Sequence, residues 1–203
     1  MESIAIDLGK LNEEGFDIYE DFRKQRRLIL DEEITESVVA GYSLMIAKWN
    51  AEDKDILPEK RKKIVIFIHS PGGDVISGFN LLDVIDSSET PIITIGMGEC
   101  ASMASYVLAA GHERYCYPNT VVLIHDGEQG YQTSAGKGKD IQAFFDKQST
   151  KMRKYLATHT NMDEEYLKSV EDREVYLFGD EAKEKGIVDG LIGVDVRLTD
   201  VIG

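Results

Sequence analysis

The 203-residue chain is poor in the residues that staple small folds: it has two cysteines, four prolines and one tryptophan. Cys100 and Cys116 have neither C-x-x-C spacing nor a surrounding cluster of His and Cys. A disulfide scaffold is therefore set aside, and two free, buried thiols in a reducing compartment are expected. No basic region followed by an apolar stretch opens the sequence. Its densest apolar run, Ile64 to Ile68, falls far below the roughly 20 residues that a bilayer span needs. The expectation is a soluble, unexported, cytoplasmic protein with no membrane partner. Positive charge is scarce as well, since 23 Lys and Arg face 37 Asp and Glu, for a formal charge of −14. Such a surface repels phosphate backbones and anionic headgroups, so nucleic acid is not expected as a partner. Low-complexity tracts, solenoid-type repeats and an interdomain linker are also missing.

What is present suits one core. A hydrophobic content of 42% over this length supports a single domain spanning residues 1–203. The first twenty residues mix short apolar pairs with acids and glycines and read as an arm, not as core. Leu28-Ile29-Leu30 reads as a short strand. From Thr35 to Trp49, Val38, Tyr42, Met45, Ile46 and Trp49 recur at helical spacing. Ala51 to Lys63 is almost entirely charged and reads as a solvated loop. Two β-branched runs follow, Ile64 to Ile68 and Ile92 to Ile95, each leading through a glycine-containing turn into an apolar helical segment. Strands that are apolar on both faces belong under helices on both sides, so the fold class expected is α/β. Further strands are read at Arg114 to Tyr117 and Val121 to Ile124. A polar loop is read over Gly127 to Gly138, a long helix from Asp140 to Thr158, a short one over Asp163 to Val170, and a last strand at Val175 to Leu177.

Several residues carry possible chemistry. Ser70-Pro71-Gly72-Gly73 lies between a buried strand and a helix, where backbone amides can face a developing negative charge; the plain alternative is a turn. Ser102 opens an apolar helix whose positive end would favour an alkoxide or oxyanion, and its plain alternative is an N-cap. Cys100 and Ala104 occupy the flanking positions that G-x-S-x-G reserves for glycine, so an α/β-hydrolase elbow is disfavoured. His125 ends an apolar strand, at the sheet rim where sites gather. His69 also ends a strand, while His112 and His159 lie in polar segments and read as surface residues. Two strand-end histidines raise the question of a metal, but a catalytic zinc needs three protein ligands and H-E-x-x-H spacing is missing, so no metal is expected. An acid that orients the imidazole is not selected by spacing, and Asp126, Asp172, Glu174 and Asp189 all stay open.

Taken in order, H-S-P-G-G (69–73), G-E-C-A-S-M-A-S (98–105), L-I-H-D (123–126) and G-Y-Q (130–132) before a long helix resemble the proteolytic subunit of the Clp protease. The likeness runs from Asp17 to Gly190 and takes in Asp17-Ile18-Tyr19, the Pro118-Asn119 turn and Gly186-Ile187-Val188-Asp189. It implies a crotonase-like spiral of β-β-α units, with a handle region over 130–160 whose helix protrudes and an axial arm over 1–20. It implies a serine endopeptidase with Ser102 as nucleophile and His125 as general base. Glu174 would be the orienting acid, with Asp172 as the alternative, and the amides of Gly73 and Met103 the oxyanion hole. No cofactor is implied. The partners implied are further copies of the chain in two stacked heptameric rings, an ATP-driven AAA+ unfoldase, and unfolded polypeptide substrates. The departures are Glu174 where the family usually has Asp, His69 where it usually has Asn, a longer Ala51 to Lys63 loop, and extra residues at Thr133 to Lys139. They point to a divergent or phage-type paralogue. A catalytically impaired ring subunit and a crotonase-type acyl-CoA enzyme are the alternative readings.

Overall fold

The computed structural model describes residues 18–127, 130 and 132–203. Residues 1–17 of the expected arm, and Tyr131 of the G-Y-Q segment, lie outside the described residues. A short helical segment over 18–24 precedes β1 (Arg27–Leu30). Then come α1 (Glu36–Glu52), β2 (Ile64–Ser70), α2 (Val75–Asp86), β3 (Ile92–Ala101), α3 (Met103–Ala110), β4 (Glu113–Cys116) and β5 (Val121–Ile124). The chain continues with α4 (Ala135–His159), α5 (Glu164–Ser169), β6 (Val175–Leu177), α6 (Gly179–Glu184), β7 (Gly190–Leu191) and α7 (Leu198–Ile202). The class is α/β, as the apolar runs predict.

Neighbouring strands in the order β1-β2-β3-β4-β7 are all parallel. One edge of β3 faces β2 throughout. Its other edge serves two strands in turn, β4 against Ile93 to Gly96 and β5 against Glu99 to Ala101. Between these stretches the β2 register passes from Ile68↔Gly96 to Ser70↔Cys100, so two residue steps on β2 answer four on β3. Gly98, at φ 60°, lets the extra residues bulge out. The sequence reading ended β3 at Ile95 and took Gly96 as a turn; the strand instead runs on through the bulge to Ala101. That extension carries it to the doorstep of Ser102.

Alternation explains why β2 is apolar at every position. Ile64, Ile66 and Ile68 pack with Val39, Ile46, Leu81 and Leu108 on one side of the sheet. Val65 and Phe67 face the other way, onto Ile93, Ile95, Ile192 and Val201. Both faces are covered, which is the usual condition of a parallel sheet.

The segment Ala51 to Lys63 differs from its reading as a solvated loop. α1 runs on to Glu52, and both Asp53 and Arg61 are buried. The Arg26 guanidinium donates to the Asp53 carboxylate (2.8 Å), as does the Thr90 hydroxyl (3.2 Å). Arg61 donates to the Ile56 carbonyl (2.8 Å) and to Glu89 (2.9 Å). The charges are inside because they are paired. α4 likewise starts at Ala135, not Asp140, so part of the expected extra loop is helix. Its buried residues are Gln148, Met152 and Leu156, all in its second half.

Candidate active site

β3 and β5 run parallel with Ala101 opposite Leu123, so their C-terminal ends emerge side by side. Ser102 follows one and His125 follows the other. The junction is tied by a hydrogen bond from the Ser102 amide to the Leu123 carbonyl (2.9 Å). Two neighbouring strand ends thus bring to one rim a pair that lies 23 positions apart in the chain.

Ser102 occupies the N-cap position of α3, yet its side chain makes no capping bond. Thr35, Asp74 and Asp163, by contrast, each accept an amide of the helix they precede. The simple capping reading of Ser102 therefore fails. Its backbone is also unusual, at φ 52° and ψ −127°. A non-glycine residue in such a region costs of order 1–3 kcal/mol and persists only where its surroundings impose it. Here the imposing bonds are the Leu123 carbonyl on one side and the start of α3 on the other. Cys100, two residues earlier, does not compete as a nucleophile, because burial pushes its thiol up to about 12 and keeps it protonated.

The glycine turn stands against the same helix start. A Cβ on Gly72 would lie 2.7 Å from the Ser102 Cβ and 2.9 Å from the Met103 nitrogen. Only a residue without a side chain allows that approach. The turn is held by Ile34, whose amide donates to the Gly72 carbonyl (2.7 Å) and whose carbonyl accepts from the Asp74 amide (2.9 Å). Gly73, at φ 148° between those two contacts, keeps its own N–H on the side away from Ile34. Neither that amide nor the amide of Met103, in the first turn of α3, has an acceptor among the described residues. Free amides where the glycine turn packs on the start of α3 are of the kind that can stabilise an anion.

His125 is half-buried, and its Nε2 is buried without a partner. An orphaned imidazole nitrogen inside a protein is costly, and here the Ser102 hydroxyl does not supply the missing bond. β6 pairs antiparallel with β5, placing Val175 opposite Ile124, so Glu174 and His125 are the residues that follow where the ladder ends. The Glu174 carboxylate accepts from the Tyr176 hydroxyl (2.8 Å). Of the other acids left open by the sequence, Asp126 and Asp189 are engaged elsewhere. Asp126 accepts the amide of Asp172 (2.9 Å), which holds Asp172 in a left-handed turn at φ 58°. Asp189 is bound by Arg114, through Nη2 (2.6 Å) and through the Arg114 amide (2.8 Å). Asp172 lies with Asp126, Asp146, Arg153 and Glu171 around a polar cleft beside the middle of α4.

The remaining histidines have structural work. His69 accepts the Glu99 amide at Nδ1 (3.0 Å) and so buttresses the β3 bulge. His112, exposed as expected, accepts the Ile92 amide at Nδ1 (2.9 Å). His159 is not a plain surface residue: it is half-buried and stacked on Tyr155, with centroids 3.9 Å apart. Among the described residues no three His, Cys, Asp or Glu side chains come together in a way that could hold a metal ion. No helix among them is long and apolar enough to cross a membrane. Tyr176 and the contact of Gly72 with Ser102 were not picked out from the sequence. The first had a signal, since residues two apart on a strand share a face; the second had none, because it joins segments thirty positions apart. A family model described as Clp protease matches residues 10–195.

Proposed function

The chain belongs to the Clp protease family, and from that premise we propose that it is a serine endopeptidase that cleaves unfolded polypeptides by acyl-enzyme chemistry. His125 takes the proton of the Ser102 hydroxyl as that oxygen attacks the peptide carbonyl. The tetrahedral oxyanion is received by the amides of Gly73 and Met103. His125 then protonates the leaving amine, and water, activated by the same imidazole, releases the acyl group from Ser102. Glu174 orients the imidazole and balances its charge, with Asp172 as the alternative acid. No cofactor or metal takes part in these steps.

One observation carries the reading: the Ser102 hydroxyl is left out of helix capping and held at a strained backbone position beside the strand end that bears His125. The partners follow from family membership. The proposal includes one peptidase domain over residues 1–203, assembly into two stacked heptameric rings, an arm at residues 1–20 on the axial pore, and a handle at 130–160 joining the rings. It also includes a cytoplasmic location and delivery of substrate by an ATP-driven AAA+ unfoldase. Fourteen chains of 22.7 kDa give about 320 kDa, and closed symmetry is the rule for such assemblies.

A fluorophosphonate probe tests the chemistry. It should label the wild-type protein at Ser102, and Ser102→Ala should lose both labelling and hydrolysis of an unfolded peptide. Labelling elsewhere, or hydrolysis by Ser102→Ala, overturns the assignment. A ring subunit without turnover is the second reading, favoured by the glutamate at the acid position. It predicts the same assembled mass with no hydrolysis. A triad whose acid fails to engage the imidazole loses about 10⁴ in turnover.

A further inference from the structure

Resting on that reading, we propose that Tyr176 is a positioning residue: its hydroxyl anchors the Glu174 carboxylate so that the free oxygen faces His125. Three observations lead there. Glu174 immediately precedes β6, two residues before Tyr176, and the last registered pair, Ile124 with Val175, leaves His125 and Glu174 as the next residues of the two segments. The Tyr176 hydroxyl donates to Oε2 of Glu174 (2.8 Å), which leaves Oε1 without a donor among the described residues. Tyr176 is 58% exposed, so its ring is not there to fill the core.

The geometry answers a difficulty particular to this chain. A glutamate has one more rotatable bond than an aspartate and reaches its target less reproducibly unless something restrains it. A donor two residues along the chain supplies the restraint without occupying both oxygens. The phenol is itself held above the ordinary tyrosine value, first by the bond it gives Glu174 and also by the charges of Glu174 and Glu99. It therefore stays protonated, and able to donate, throughout the neutral range. The bond goes to Glu174 and not to Glu99, which lies on β3, two strands away.

The test is a double-mutant cycle on peptide hydrolysis, run on the full-length assembled protein with fluorophosphonate labelling of Ser102 as the control for the underlying chemistry. Tyr176→Phe keeps the ring and removes only the oxygen. It should lower kcat about three- to tenfold with KM unchanged, the range for losing one exposed hydrogen bond to a charged group. In a Glu174→Asp background the shorter acid no longer meets the hydroxyl, and Tyr176→Phe should then change kcat less than about twofold. Equal losses in both backgrounds, an unchanged kcat in Tyr176→Phe, or a rise in KM alone each overturn the positioning role while leaving a labelled Ser102 intact. If Ser102 is not labelled at all, the peptidase reading fails and this inference falls with it.

Discussion

Replacing Gly72 with alanine would add one methyl group at the closest approach in the site. That carbon would stand 2.6 Å from the Ala101 carbonyl oxygen, 2.7 Å from the Ser102 Cβ and 2.9 Å from the Met103 nitrogen. None of these belongs to the far end of a movable side chain, so the backbone itself must shift. Gly72 also sits at φ 94°, where an L side chain costs about 1–2 kcal/mol. Overpacking of this kind adds about 1–3 kcal/mol. Gly72→Ala should therefore lose about 2–5 kcal/mol of stability, read from the midpoint of a urea transition at unchanged slope. The shift should also cost activity, since the atoms pushed are those of Ser102 and of one proposed oxyanion donor. Removing one such donor costs about 10²–10³ in kcat. Hydrolysis of a short peptide, measured well below the unfolding transition, reads that loss separately from stability. A variant that unfolds at the wild-type midpoint and turns over at the wild-type rate would refute the claim that the glycine turn and the start of α3 form one rigid unit.

Two further outcomes follow from other residues. Ser102→Gly should abolish labelling yet raise stability by about 1 kcal/mol in the same urea assay, because glycine adopts the positive φ at little steric cost; Ser102→Ala keeps the strain and should show no gain. Asp53→Asn should lose about 3 kcal/mol, since it takes away the buried carboxylate of the mostly buried Arg26 and leaves only exposed Glu52 as its counter-charge. The hydrogen bond from Arg26 holds the Asp53 carboxyl below its ordinary 3.8. Its stabilisation is thus fully present above pH 3.8 and fades as the pH falls through the lower folded-state value. Acid titration of unfolding should accordingly show a shallower loss in Asp53→Asn than in wild type over that window.

The strands were legible because their signal is strong and local: β2, β5 and β6 are β-branched or apolar runs bounded by polar residues. The pairing of Ser102 with His125 followed from a family resemblance, and the parallel register of β3 and β5 gives it a physical basis. Other features were hidden for identifiable reasons. Gly96 and Gly98 look like turn residues, but the first pairs with Cys116 inside the sheet and the second serves a bulge. Gly136 and Gly138 concealed the first turn of α4 in the same way. Asp53 and Arg61 read as solvent-facing because burial of a charge depends on a partner remote in sequence, here Arg26 and Glu89. Spacing leaves the acids open, and Glu174 is named from the family resemblance; that it follows directly on the end of the β5–β6 ladder is encoded by no spacing in the sequence.

The unburied half of α4 has a thermodynamic corollary. Ala135–Lys147 contains no buried residue, includes two glycines and presents Phe144 at 50% exposure. Thirteen residues, about 20 Å of helix at 1.5 Å per residue, are marginal in water on their own, and each glycine weakens them by about 1 kcal/mol. Order in this stretch is therefore coupled by mass action to whatever covers it, so helical content and self-association should rise along a single dilution curve.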